Sequence, residues 1–207
     1  AALLLQKNPE LQNQELKSLL MTTVQPVSNA YGQEFSLHES GSGRLDIANA
    51  YNAKLIISPT NFVMNFSPEQ LSIEKQLELK LIEGEIEEIN VKFEGPEFIE
   101  FTHNIKNNKL QIELNVIGEN YGEHEGKIFI NHEKTQYTIP VLMHYTEGSI
   151  LVNQNNEKLF FEIEHPDKWS FAKISITNSK NGNMDTTTTT PNKKTSIEIY
   201  ENGEYWI

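Results

Sequence analysis

Residues 40–51 read SGSGRLDIANAY, and the organisation of the chain turns on them. Gly41 and Gly43 flank one serine, a spacing that suits a positive φ or a close backbone approach that a Cβ would block. Asp46 stands where it can cap a short helix, with Ile47, Ala50 and Tyr51 at i, i+3 and i+4 on one face. No nucleophile, base or metal-ligand pair lies inside the stretch. It reads as a packing motif that closes a helical segment.

Upstream, residues 1–6 are apolar all round, which predicts a helix buried on every side, stopped by Pro9. In residues 14–23, Leu16, Leu19, Leu20 and Thr23 recur at i, i+3, i+4 and i+7 and predict an amphipathic helix. Residues 25–39, with Pro26, Asn29 and Gly32, read as loop.

These three pieces, in this order, resemble the C-terminal end of the catalytic domain of the subtilisin-like serine proteases, the subtilases. In that family the nucleophilic serine opens a buried helix that runs on through alanines and leucines. Ala1-Ala2-Leu3-Leu4-Leu5-Gln6 looks like the tail of that helix. Glu15-Leu16-Lys17-Ser18-Leu19-Leu20-Met21-Thr22-Thr23 is similar to the helix that follows, with Thr23 in place of the usual alanine. Gly41-Ser42-Gly43-Arg44-Leu45-Asp46-Ile47-Ala48-Asn49-Ala50 matches the G-x-G closure. The resemblance implies that the catalytic Ser, His and Asp lie upstream of Ala1. The chain is then a fragment, inactive alone, with no catalytic, cofactor-binding or metal-binding residue of its own. It also implies a secreted or cell-surface protein that acts on protein and peptide substrates, and a missing upstream catalytic domain as partner.

Downstream of Lys54 the period changes from helical to alternating. Leu55-Ile56-Ile57 runs into Ser58-Pro59. Phe62, Met64 and Phe66 alternate, as do Leu77, Leu79 and Leu81, then Ile89, Val91 and Phe93. A short strand is predicted at 98–103, with a hairpin turn at Asn107-Asn108. Leu110, Ile112, Leu114 and Val116 follow, then a polar loop from Gly118 to Gly126. Ile128 and Ile130 predict a short strand. Tyr137, Ile139, Val141, Met143 and Tyr145 predict the last, with Pro140 confining it to an edge or a bulge. About seven short strands with turn signals between them are the signature of a β-sandwich. The Tyr137-Thr138-Ile139-Pro140-Val141 run resembles the final strand of the fibronectin-III-like sandwich that subtilases carry after their catalytic domain.

Beyond Gly148, strands are predicted at 150–152, 159–163, 171–176 and 197–200, with another starting at 205. The threonine tract 186–190 offers no apolar face and reads as a solvated loop. This region reads as a second sandwich cut before completion, which leaves one apolar face uncovered and residues 159–176 marginally ordered if expressed alone. The expected fold is therefore mostly β. Residues 1–54 are the helical remnant of an α/β domain, 55–147 a fibronectin-III-like sandwich and 148–207 a partial second sandwich.

Composition bounds the chemistry. The 207 residues carry a formal net charge of −12, from 29 acidic and 17 basic side chains, which argues against a nucleic-acid partner. There is no cysteine, so neither a disulfide nor a thiolate metal site can form. No run approaches the ~18 apolar residues that span a bilayer, and residues 1–5 lack the charged flank of a signal peptide.

His38-Glu39, His124-Glu125 and His132-Glu133 invite a zinc reading. The zinc-hydrolase motif needs a second histidine four residues on, where Ser42, Ile128 and Gln136 stand instead. His124 and His132 flank a strand in an acidic stretch and are better read as polar side chains facing solvent. His103, His144 and His165 are isolated, with His144 on the polar face of its strand. Glu85, Glu87 and Glu88 sit in or beside a turn, and no pair of carboxylates is singled out for glycoside hydrolysis. Asp46, Asp167 and Asp185 are too dispersed for a calcium loop, and the acidic 119–125 stretch is at most a weak one. Gly41-Ser42-Gly43 lacks the Lys or third Gly of a phosphate loop. Asn65-Phe66-Ser67 is an acceptor sequon without a context. Trp169, Phe171, Tyr205 and Trp206 could stack on sugars, but core packing is the expected role.

Two functions compete. One is the supporting C-terminal portion of a subtilisin-like endopeptidase. The other is a non-enzymatic tandem β-sandwich surface or adhesion protein that binds protein or sugar through its loops.

Overall fold

The structure is a computed structural model that describes residues 1–83, 89–155, 157–200 and 203–207. The chain is mostly β and divides into two compact units, Ala1–Phe66 with Gln70–Tyr145, and Ser67–Glu69 with Thr146–Ile207.

The first unit opens with four short helices, α1 (Ala2–Lys7), α2 (Asn13–Thr22), α3 (Leu37–Ser40) and α4 (Ile47–Asn52). The closure motif is built as its residues require. Gly41 and Gly43 both take positive φ, and a Cβ on Gly43 would meet the Gln25 carbonyl oxygen at 2.6 Å. Asp46 caps α4 by accepting the Asn49 N–H at 2.9 Å. That bond, ahead of the Gln25 amide, holds its carboxyl below the usual range. Helix α2 starts in a capping box between Gln12 and Glu15.

Eight strands follow: β1 (Leu55–Ser58), β2 (Phe62–Phe66), β3 (Ser72–Leu81), β4 (Ile89–Glu94), β5 (Ile99–Lys106), β6 (Lys109–Val116), β7 (Gly122–His132) and β8 (Thr135–Tyr145). They form two four-stranded sheets, β1-β3-β6-β5 and β2-β8-β7-β4. Alternation sets the register. Leu77 faces Leu110, and Ile128 faces Ile139, so the apolar set of each strand falls on one side. One hydrophobic cluster joins both sheets, and Leu4, Leu19, Ala50 and Ala53 of the helical segment belong to it.

Three features of this unit differ from the sequence reading. Strand β7 begins at Gly122, inside the stretch read as loop, because β8 pairs with it as far as Gly122–Tyr145. Pro140 lies in an inner strand, yet β2 joins β8 only from Val141 onward. The β2 side of β8 is therefore unpaired at the proline, which is where a residue without an N–H is tolerated. His132 is buried, not a surface residue, because it continues the inward parity of Gly126, Ile128 and Ile130 along β7. Residues 84–88, with Glu85, Glu87 and Glu88, lie outside the described residues.

The second unit holds β9 (Ser149–Asn155), β10 (Lys158–Glu164), β11 (Ala172–Asn178), β12 (Met184–Thr189), β13 (Thr195–Glu198) and β14 (Tyr205–Trp206). They form two three-stranded sheets, β13-β10-β9 and β12-β11-β14. Leu159, Phe161, Ile174, Ile176 and Ile197, drawn from both sheets, make its core. The apolar residues of β10 and β11 are thus buried on each other. Strand β9 carries open apolar surface, with Ile150, Leu151 and Val152 all exposed. The threonine tract is strand β12 rather than loop. β-branched threonine suits an extended, half-solvated strand, and Thr187 and Thr195 share a hydroxyl hydrogen bond of 3.2 Å.

Candidate functional site

The residues singled out in the sequence do not converge on one reactive centre. Among the described residues no group of three or more His, Asp or Glu is arranged to hold a metal ion. His103 stacks on Phe101, with centroids 5.5 Å apart. His124 meets Phe98 edge-on at 4.8 Å and bonds to the Asn120 carbonyl at 2.7 Å. Ser42 has no base beside it among the bonds of the described residues.

Two of the histidines do meet at one carboxylate. Glu123 pairs with His38 and lies 3.5 Å from His144 Nδ1. The cause is the two-residue period of β7, which puts Glu123, Glu125 and Lys127 on the same outer face. Glu125 accepts the Leu37 N–H at 2.8 Å, and Lys127 pairs with Glu34. The loop ahead of the closure motif is thereby strapped to the sandwich at three successive outward positions. Sequence reading missed this, because nothing local in 34–38 marks a partner almost ninety residues away.

The helical segment has two unlike faces. Its inner face joins the sandwich core through Leu4, Leu19 and Ala50, all nearly inaccessible. Ser18 adds a polar anchor. Its hydroxyl donates to the Ile57 carbonyl at 2.7 Å and accepts the Ile57 N–H at 3.0 Å. Strand β1 is an edge of its sheet, so helix α2 satisfies the open side of that edge. Against expectation, α1 is not buried on every side, since Leu3 is 54% exposed. Leu5, Leu45, Ile47 and Tyr51 are exposed too, so Ile47 and Tyr51 do not share the buried face of Ala50. Helices α1 and α4 touch: Lys7 donates to the Tyr51 carbonyl at 2.7 Å, its ammonium 4.7 Å from the Tyr51 ring centroid. Together they present apolar side chains that the chain itself leaves uncovered.

The aromatic residues of the second unit are the other candidate. Core packing, the expected role, holds only for Tyr205, which packs against the small core. Phe171 is 70% and Trp206 67% exposed, and Trp169 is half-buried beside a recess. The physical reason is parity and place. Phe171 falls in the crossover before β11, and Trp206 lies on β14, opposite Thr177 rather than an inward residue.

No protein-family model matches the chain, and no curated protein matches it. Among solved structures it is similar to a chaperone–tip adhesin complex of CFA/I fimbriae, at 12% identity and a TM-score of 0.33, over 73% of this chain and 91% of that one. It is similar to the CsuC–CsuE chaperone–tip adhesion subunit complex of Acinetobacter baumannii, at 11% identity and a TM-score of 0.32, over 72% and 89%. It is also similar to the Yersinia pseudotuberculosis adhesin InvE, at 14% identity and a TM-score of 0.29, over 76% and 52%. None of these is a subtilase, and similarity at this level assigns neither a family nor a function.

Proposed function

We propose that this chain is a non-catalytic, β-rich segment of a secreted or surface protein, and that its helical face braces a larger body of the subtilisin-like serine protease type. The observation that carries this is the split character of the helices. Leu4, Leu19 and Ala50 are committed to the sandwich, while Leu3, Leu5, Leu45, Ile47 and Tyr51 stand open. Apolar surface on one side of a helix that is already packed on the other marks a second packing partner. The same residues carry the resemblance to the end of the subtilase catalytic domain. In such a parent a Ser-His-Asp triad would supply the chemistry, and this segment would support the nucleophile's helix from behind.

A second reading is a non-enzymatic surface or adhesion protein that binds through loops. The exposed rings of Phe171 and Trp206 favour it. The two readings share the absence of hydrolysis by this chain and differ in what the helices touch.

Co-expression separates them. The chain alone should not cleave fluorescent casein. Co-expressed with the segment encoded immediately upstream, it should co-purify with that segment, and replacing both Leu3 and Ile47 with Asp should abolish the association. An upstream sequence without a Gly-Thr-Ser-Met-Ala-type segment, or association that survives the double substitution, removes the protease reading and leaves the second.

A further inference from the structure

The second unit carries a recess whose lining suits a sugar. Strand β10 leaves its sheet at Glu164, and the chain crosses to β11 in the other sheet through residues 165–171. Strand β12 crosses back to β13 through residues 190–194. The two crossovers meet around an open recess of about 580 Å³, within the ~300–1,000 Å³ of small-ligand sites. Ile163, Trp169 and Pro191 supply its apolar surface, and His165, Asp167 and Asn192 are among its polar groups, with Glu164 and Lys168 as charged neighbours.

The polar groups offer both donors and acceptors. His165 Nδ1 accepts the Asp167 N–H at 3.1 Å. That bond places the ring proton on Nε2 and leaves it as a donor. The Asp167 carboxylate offers two acceptor oxygens, and the Asn192 amide offers both roles. No hydrogen bond or ion pair to another side chain occupies the Asp167 carboxylate, the Asn192 amide or the Lys168 ammonium among the described residues. Asn192 is held in the left-handed region, with φ of 62°, in the tight return before β13.

We propose that this recess binds a neutral carbohydrate, with a pyranose ring stacked on Trp169 and its hydroxyls shared by Asp167, Asn192 and His165. A pyranose has a C–H face that packs on a flat indole, and a rim of hydroxyls that each donate and accept. A phosphorylated ligand is disfavoured, because at the same rim the Glu164 and Asp167 carboxylates outnumber the single Lys168 ammonium, in a chain of net charge −12. The open, partly polar lining is equally unsuited to a wholly apolar guest. Phe171, two residues beyond Trp169 in the same crossover, adds an exposed ring that the core does not use. This inference deepens the non-catalytic reading and does not depend on which parent carries the segment.

The test titrates the full chain with cellohexaose, chitohexaose, xylohexaose and mannohexaose, each to millimolar concentration, by calorimetry and by tryptophan fluorescence. At least one should bind saturably, and Trp169→Ala and Asp167→Ala should each weaken it by about tenfold or more. Asp167→Ala alters an exposed side chain, so it keeps the test valid if Trp169→Ala disturbs the fold. Absence of saturable binding to all four, or binding unchanged in both variants, overturns the proposal. Neither result alters the casein and co-purification readouts, so failure here is separable from failure of the bracing function.

Discussion

The Tyr137 hydroxyl accepts the Leu55 N–H at 2.9 Å, and through that bond the β8 sheet holds the first strand of the opposite sheet. The same oxygen accepts the Lys54 N–H at 3.0 Å. It therefore satisfies both backbone donors at the turn from α4 into β1. The ring is wholly buried in the core that these strands share.

Tyr137→Phe keeps the ring and removes the acceptor. Leaving buried N–H groups unpaired costs roughly 1–3 kcal/mol, and urea denaturation should show a loss of that size. Burial, opposed by the two N–H groups, pushes the Tyr137 hydroxyl above the ordinary tyrosine value of 10.0. The folded state thus favours the protonated phenol. Its contribution is complete below the unfolded value and is lost as pH rises through the folded one. The alkaline limb of the stability profile should be shallower in Tyr137→Phe. Some slope should remain, because burial raises Tyr145 as well.

Ser18→Ala should show that the helices and the first sandwich fold together. The substitution strips both partners from the Ile57 backbone, whose N–H and C=O point away from β3 toward α2. The expected loss is about 1–3 kcal/mol, with faster hydrogen exchange at the Ile57 amide. Lys17→Ala, one residue away and exposed, should change stability by less than about 0.5 kcal/mol. Equal effects from the two would mean that the sandwich does not use the helix.

Glu15 joins two elements. It accepts the Gln12 N–H at 2.9 Å in the capping box and pairs with Lys80 of β3. The Lys80 ammonium first, then the Gln12 N–H, hold its carboxyl below the 4.5 of an ordinary glutamate. A carboxyl lowered in the folded state stabilises above its unfolded value, and the contribution fades as pH falls through the folded value. Glu15→Gln should therefore cost about 0.5–1 kcal/mol at neutral pH, the size of an exposed pair. The difference between variant and parent should close on acidification below the unperturbed value. A difference that persists in acid would assign the effect to packing.

Much of the first unit was legible because its signals are local. The alternation of Leu110, Ile112, Leu114 and Val116 gives β6 directly, since inward and outward positions differ by one residue. Asp46 announces the start of α4 because a cap acts over three residues. What stayed hidden depends on distant partners or on propensity without an apolar pattern. Strand β12 has no hydrophobic face to betray it and is held by pairing with β11. The hydroxyl of Ser18 finds Ile57 only once the edge strand is placed. The recess beside Trp169 exists because two separate crossovers end at one place, which no single stretch of sequence records.

Leu3 and Leu4 are neighbours of the same type, and the fold separates them. Leu4 is 2% exposed within the sandwich core, whereas Leu3 is 54% exposed. Leu4→Ala removes buried methyl groups and leaves a cavity, which costs about 2–5 kcal/mol. Leu3→Ala removes groups already in water and should cost less than about 0.5 kcal/mol. Thermal melts of the two variants give the ordering directly. If α1 instead buried Leu3 in this chain, the two losses would be alike, and the open apolar face on which the proposed bracing function rests would not exist. If only Leu4→Ala lowers the melting temperature, Leu3 is free for a partner, and its replacement should then weaken association with that partner while the fold stays intact.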